Sequence, residues 1–197
     1  MKRLLIATTS RDKLDEIRRV LADVPVDLVS LADVPAVPEP EETGVTFEEN
    51  ARLKALYYAS HSQVMTVADD SGLEIDAMDG RPGVWSARFL GPAASYPERF
   101  AAISRALAAM PDAPRTARFV CALAVVDGAR VVFETRGTIE GEVIDTPRGD
   151  RGFGYDPIFY YPPYRATLGE VSQELKLEVA HRGKAFRQLA GWLRSID

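Results

Sequence analysis

The sequence predicts an α/β fold tending to α+β, with a long curved mixed β-sheet and flanking helices, and three observations carry the class. A short apolar strand near the N-terminus passes through a hydroxyl-rich loop into an amphipathic helix. Two further helices open with the Ser/Thr-x-x-Glu pattern of a capping box. The second half carries long β-rich runs joined by a tight turn, an antiparallel meander rather than a strict strand–helix alternation. At 197 residues the chain is read as one domain, large enough to bury roughly 70% of its unfolded surface.

Taken in order, Leu4 to Ala7 form the first strand and TTSRD the connection. Leu14, Ile17, Val20 and Leu21 then make the buried stripe of a helix capped by Ser10 or Asp12. The stretch VPAVPEPEETG has no apolar period and reads as loop. Thr46 and Glu49 open the second helix, which runs to about Ser60 and offers Leu53 and Leu56 to the core, with His61 capping its end. VMTVADD reads as a buried strand, and the alternation of Leu73, Ile75 and Ala77 as a second, half-exposed strand ended by DGRPG. SYPE, with Pro97 in the first turn, opens a helix to about Met110. TARFVCALAVV and RVVFETRG pair across DGAR, and TIEGEVI extends the same sheet. After GDRGFGYDPIFYYPP a last helix, Gly183 to Ser195, buries Phe186, Leu189, Ala190 and Leu193.

Composition narrows the function. A net charge of −5 argues against a general nucleic-acid binder, which needs a broad basic surface. It leaves room for one small polyanion, because exposed charges are screened over roughly 8 Å and a few lysines can dominate a cleft. No apolar run approaches the roughly 20 residues of a membrane span. MKRLLIATTS is too short in its apolar part for a signal peptide and reads as a strand. The single cysteine, Cys121 in RFVCALAVV, reads as core, and a reducing cytoplasm fits.

Five segments could carry chemistry. VADDSG places Asp69 and Asp70 side by side at the end of an apolar run, where charge costs several kcal/mol unless compensated. The two readings are a turn, or a site for a divalent cation. TTSRDK, leaving a strand and entering a helix N-terminus, can bind phosphate through free N–H groups and Lys13, though it lacks the glycines of a Walker A loop. Phe47, Asn50 and Lys54 share one helix face, with Glu42 just upstream. RGFGYDP sets Phe153 or Tyr155 among glycines that allow close approach and stacking. Lys176, His181 and Arg182 lie just before the last helix and offer donors to oxygen acceptors. Together these supply a phosphate loop, carboxylates for Mg²⁺, a stacking ring and a base-edge reader, the groups a nucleoside triphosphate requires.

The order of these segments resembles the inosine/xanthosine triphosphate pyrophosphatase family, the non-standard purine NTP pyrophosphatases. IATTSRDKLDEI, EETGVTFEENARLKA, VADDSGLEIDAMDGRPGVWSARF, RGFGYDPIF and AHRGKAF follow the family's order over nearly the whole chain. The resemblance implies one domain of two lobes around a central substrate cleft, a homodimer, and Mg²⁺-dependent hydrolysis of a nucleoside triphosphate to monophosphate and pyrophosphate. It implies that Asp70 is the general base or water-positioning carboxylate and that Glu42 and Asp70 hold the metal. Lys54, the loop Thr8, Thr9, Ser10 to Lys13, and Ser71 would contact phosphates. Phe153, Gly154, Tyr155, Asp156, Lys176, His181 and Arg182 would hold the nucleoside. Thr9, Ser10 and Asp12 depart from the family's loop, and Asp12 adds a negative charge there. A Maf-like pyrophosphatase with other nucleotide preferences is the nearest alternative, and the HRG segment argues against it. A non-catalytic NTP sensor is the other; it would not need Glu42 and Asp70 together.

Overall fold

The computed structural model describes residues 2–196. Within them, seven strands form one sheet in the order β2-β1-β3-β4-β5-β6-β7. β1 (Lys2–Ile6) lies parallel to β2 (Val26–Ser30), with Leu4 opposite Leu28. On its other side β1 lies parallel to β3 (Met65–Ile75), with Leu5 opposite Thr66. β4 (Thr116–Asp127) and β5 (Arg130–Val143) are joined by a two-residue turn at Gly128 and Ala129. β6 (Phe159–Tyr161) runs antiparallel to β5, and β7 (Ala166–Thr167) antiparallel to β6. The sheet is therefore mixed, as the composite of strand–helix and meander signals predicts.

Among the described residues five α-helices accompany it: α1 (Arg11–Val20), α2 (Phe47–Ser62), α3 (Tyr96–Ala108), α4 (Gln173–Val179) and α5 (His181–Ser195). Ser10, not Asp12, caps α1 and accepts from the Lys13 amide. The capping boxes at Thr46/Glu49 and Ser95/Glu98 are both formed.

Five elements differ from the sequence expectation. VMTVADD and LEIDA are one continuous strand, because Ser71 and Gly72 extend β3 instead of turning it. β2 is unannounced: VDLVS directly follows Pro25 and is too short for a clear period. ELKLEV forms α4, so Lys176 stands on its own helix, and α5 begins at His181, two residues before the expected start. In α2 the buried face is that of Phe47, Asn50, Ala51, Lys54 and Tyr58, whereas Leu56 is exposed. A helix that buries asparagine and lysine and exposes leucine is serving something other than its core.

The chain divides into two compact units. One comprises the residues up to Asp70, Cys121–Gly137 and the segment from His181; the other comprises Ser71–Val120 and Thr138–Ala180. The first has a core of Leu4, Ile6, Ile17, Leu21, Val67, Leu123, Val125, Phe186, Leu189 and Leu193, in which α1 packs on α5. The second is built on Leu73, Ile75, Ile103, Leu107, Phe119, Ile139, Tyr155 and Phe159. Among the described residues no helix is long and apolar enough to cross a membrane.

Gly137 in β5 sits where a Cβ would collide with the His181 carbonyl oxygen and the Ala185 amide nitrogen. Both obstacles are backbone, so the strand or α5 must shift. Gly137→Ala should lower the denaturant-derived unfolding free energy by about 1–3 kcal/mol, the usual penalty of overpacking.

Candidate active site

β3 brings both carboxylates of the Asp69–Asp70 pair into the interior, and both are buried. Successive residues of a strand point to opposite faces, so the two acids serve different neighbourhoods. The Asp69 carboxylate accepts from Lys13 Nζ at 2.9 Å, lies 3.6 Å from Arg182 Nε and receives the Cys121 thiol at 3.8 Å. These partners come from α1, α5 and β4. Asp70 instead faces α2: Asn50 Nδ2 donates to Oδ2 at 3.1 Å, and Lys54 Nζ is 3.5 Å from Oδ1.

Lys54 joins Asp70 to the loop before α2, donating to Glu42 Oε1 at 2.5 Å. Asn50, fully buried, also accepts from the Gly44 amide at 2.8 Å and so fixes that loop where it carries Glu42. The buried polar face of α2 thus organises two carboxylates around one ammonium. Glu42 and Asp70 are hard oxygen donors whose charges are bridged here by a cation, the lysine. Mg²⁺ is held by one or two carboxylates plus substrate phosphates and water rather than by an all-protein cage. The pair fits that demand as two carboxylates, and among the described residues no group of three or more His, Cys, Asp or Glu side chains gathers as an all-protein metal cage, at this site or any other.

The electrostatics separate the adjacent acids. Burial pushes the Asp70 carboxyl above its ordinary value; Lys54 opposes the shift and the Glu42 charge adds to it. For Asp69 burial acts in the same direction but loses to Lys13, Arg182 and Lys54, which hold it well below the usual carboxylate range. Burial would lower the Lys54 ammonium, yet Asp70, Asp69 and Glu42 together raise it. Cys121 is driven far up by burial and by Asp69, so it is an inert thiol that donates.

Around the phosphate-type loop, Thr8 Oγ1 accepts from the Ser10 amide at 3.2 Å and Thr9 Oγ1 donates to Glu39 at 3.4 Å. Lys13 lies one turn into α1, its head on Asp69. Arg182 is buried, with Nη1 2.5 Å from Glu16 Oε2. Its guanidinium is therefore engaged by two carboxylates of the same unit, and His181 is buried beside it in the first turn of α5. Sequence reading missed Glu16; its signal was the three-residue spacing from Lys13, which puts both on neighbouring positions of one helix face. Cys121 is core, as its apolar run indicates, and in addition its thiol meets Asp69.

In the second unit, Asp156 receives the Phe153 amide at 2.8 Å and Lys176 Nζ at 2.6 Å, with both charged groups buried. Gly152, at φ +72°, leaves the Asp156 carboxylate the space that a Cβ would take. Lys176 Nζ also stands 4.4 Å from the centre of the Phe153 ring, a cation–π distance. Tyr155 is buried and donates to the Ser86 carbonyl at 2.8 Å, so of the two aromatics it is the structural one. Gly154 has φ +67°. Ser71 follows Asp70 on β3 and is half-buried.

A strand–loop–helix start with a capped N-terminus, two inward lysines and hard carboxylates bridged by an ammonium defines a phosphate-handling α/β protein. The comparisons make this specific. The Ham1 family profile matches residues 4–192, and the chain belongs to that family. A dITP/XTP pyrophosphatase of an Exiguobacterium species is 45% identical over 187 residues, covering 95% of this chain and 94% of the relative. Another, of Oceanobacillus iheyensis, is 39% identical over the full length of both. Among solved structures, a HAM1 protein from Coxiella burnetii superposes with a TM-score of 0.93 at 37% identity, covering 99% of this chain and all of that one.

The opposite shifts of the two aspartates give opposite stability effects. A carboxyl raised in the folded state makes its charge unfavourable at neutral pH, and a lowered one contributes stability that is lost as pH falls. In metal-free buffer at neutral pH, Asp70→Asn should raise Tm and Asp69→Asn should lower it. Differential scanning calorimetry of both variants checks the signs.

Proposed function

We infer that the chain is a dITP/XTP pyrophosphatase, hydrolysing non-standard purine nucleoside triphosphates such as ITP, dITP and XTP to the monophosphate and pyrophosphate. The observation that carries catalysis rather than mere nucleotide sensing is the convergence of Glu42 and Asp70 on Lys54. The curated relatives, matched over nearly their whole length, are dITP/XTP pyrophosphatases, which supports the substrate class.

The roles follow from chemistry. A triphosphate carries about four negative charges, so the reaction is mainly positioning and charge neutralisation. Lys13 and Lys54 supply fixed ammonium charge, and the capped N-terminus of α1 adds free N–H groups toward an anion. Glu42 and Asp70 would hold Mg²⁺, which supplies Lewis-acid neutralisation of phosphate oxygens. Asp70, with its carboxyl raised by burial, has the proton affinity a base needs to take a proton from water attacking the α-phosphorus. Ser71 offers a hydroxyl to a phosphate. Phe153, held by the Asp156–Lys176 pair, presents a ring for the base. His181 and Arg182 carry donors suited to the 6-keto oxygen of hypoxanthine and xanthine, where adenine has an amine. The enzyme is read as one two-lobed domain acting in the cytoplasm as a homodimer.

With ITP and Mg²⁺, ion chromatography should find pyrophosphate as the released product, and excess EDTA should abolish turnover. Stepwise orthophosphate would mean attack at the wrong phosphorus. Asp70→Asn should lower kcat by roughly 10²–10⁴ with the fold intact, the range for losing a general base. For base choice, His181→Ala should cut kcat/KM for ITP by about tenfold or more while ATP, which lacks the acceptor, changes far less. Equal losses on both substrates would remove His181 from base recognition.

A further inference from the structure

The adjacent aspartates invite treatment as one acidic cluster, but the geometry points to a division of labour. We propose that Asp69 is a positioning residue: it holds Lys13 and Arg182 on one face of β3 and takes no part in binding the metal on the other. The inference rests on the pyrophosphatase reading for its substrate and on the pleat for its logic. Asp70 meets Asn50 and Lys54 of α2, while Asp69 meets Lys13 of α1 at 2.9 Å and Arg182 of α5 at 3.6 Å. The Asp69 side chain is 1% exposed, whereas Lys13 keeps 19% of its side chain open. A buried anchor therefore holds a partly open cation. An ammonium has three donors, and the bond to Asp69 uses one.

A free lysine side chain carries substantial rotamer entropy, which a fixed anchor removes before substrate arrives. The same carboxylate lies between two cations that would otherwise repel, and Glu16 holds the far end of Arg182 at 2.5 Å. Asp69 thereby ties the loop of α1 to the start of α5, so a phosphate-binding cation and a base-reading segment keep one register.

The test uses the whole enzyme and two independent readouts. Mn²⁺ binding to nucleotide-free protein is measured by electron paramagnetic resonance for wild type, Asp69→Asn, Asp69→Glu and Asp70→Asn. Asp70→Asn should weaken Mn²⁺ about tenfold or more, while both Asp69 variants stay within about twofold, the ratios converting by the usual affinity relation. Asp69→Asn should nevertheless lower kcat/KM for ITP about 10²-fold, the scale of a misplaced catalytic group. Lys13→Ala should then cost far less in the Asp69→Asn background than in wild type, because the lysine has already lost its position. Asp69→Glu keeps the charge and serves if Asp69→Asn does not fold. Loss of Mn²⁺ affinity in the Asp69 variants equal to that in Asp70→Asn would overturn the proposal, as would multiplicative effects of Lys13 and Asp69. If Asp70→Asn alone left Mn²⁺ binding unchanged, the metal assignment of Asp70 would fail, while the Lys13 coupling would still decide the role of Asp69.

Discussion

Two charged side chains on consecutive residues of an interior strand point to opposite faces, so each hydrogen-bonds with its own neighbours even where the field of a nearby cation reaches both. Each must be compensated where it lands. In β3 that requirement reaches into four other elements. Asp69 recruits Lys13 from α1 and Arg182 from α5, and Arg182 in turn recruits Glu16. Asp70 recruits Lys54 and Asn50 from α2, and Lys54 recruits Glu42 from the loop before it. For Asp69, whose ionised form its cations favour, removing the charge would strand the buried Arg182 on that side, and breaking a buried pair of this kind typically costs about 3–5 kcal/mol. The helices around β3 are consequently fixed in rotation and register by charge as well as by their apolar stripes.

The second unit solves a smaller version of the same problem. The Asp156–Lys176 pair is as buried as the pairs on β3, and it closes the glycine-rich loop on itself through the Phe153 amide. Pairs of this kind add little net stability, since desolvation offsets most of the attraction. What they fix is geometry: an aromatic ring on a loop is useful for stacking only if the loop has one conformation. By contrast Arg3–Asp27, half-exposed on both sides, is the sort of surface pair whose contribution is about 0–1 kcal/mol. Surface charge here serves solubility, and buried charge serves the site.

Legibility from sequence followed the range of the physics involved. Capping boxes, the stripe of α1 and the β4–β5 turn depend on neighbours within a few residues, and they were readable. The continuity of β3 through Asp69 to Gly72 was not, because local turn chemistry favours a break and only partners distant in the chain override it. The same holds for α2, where the buried face follows Asn50 and Lys54 rather than Leu56. Glu16 and Lys13 flank the network from one helix, but nothing local says that Arg182, 166 residues away, will meet Glu16. Conversely, the family resemblance, which the Ham1 profile bears out, named the segments without saying which of two adjacent acids faces Lys13 and Arg182.

The contrast between those acids also indicates where stability was given up. Asp69 has enough positive charge around it that ionisation is favoured despite complete burial. Asp70 has less: Asn50 is neutral, and Lys54 is shared with Glu42, whose own charge works against Asp70. A folding-optimised interior would give Asp70 a cation of its own or replace it with a neutral residue. Keeping it charged and undercompensated is a cost that makes sense only if another positive charge arrives during function, or if its proton affinity is used, and both demands belong to a base beside a metal. On the proposed mechanism, the undercompensated carboxylate is the one asked to take a proton, and its well-compensated neighbour anchors the cations beside it.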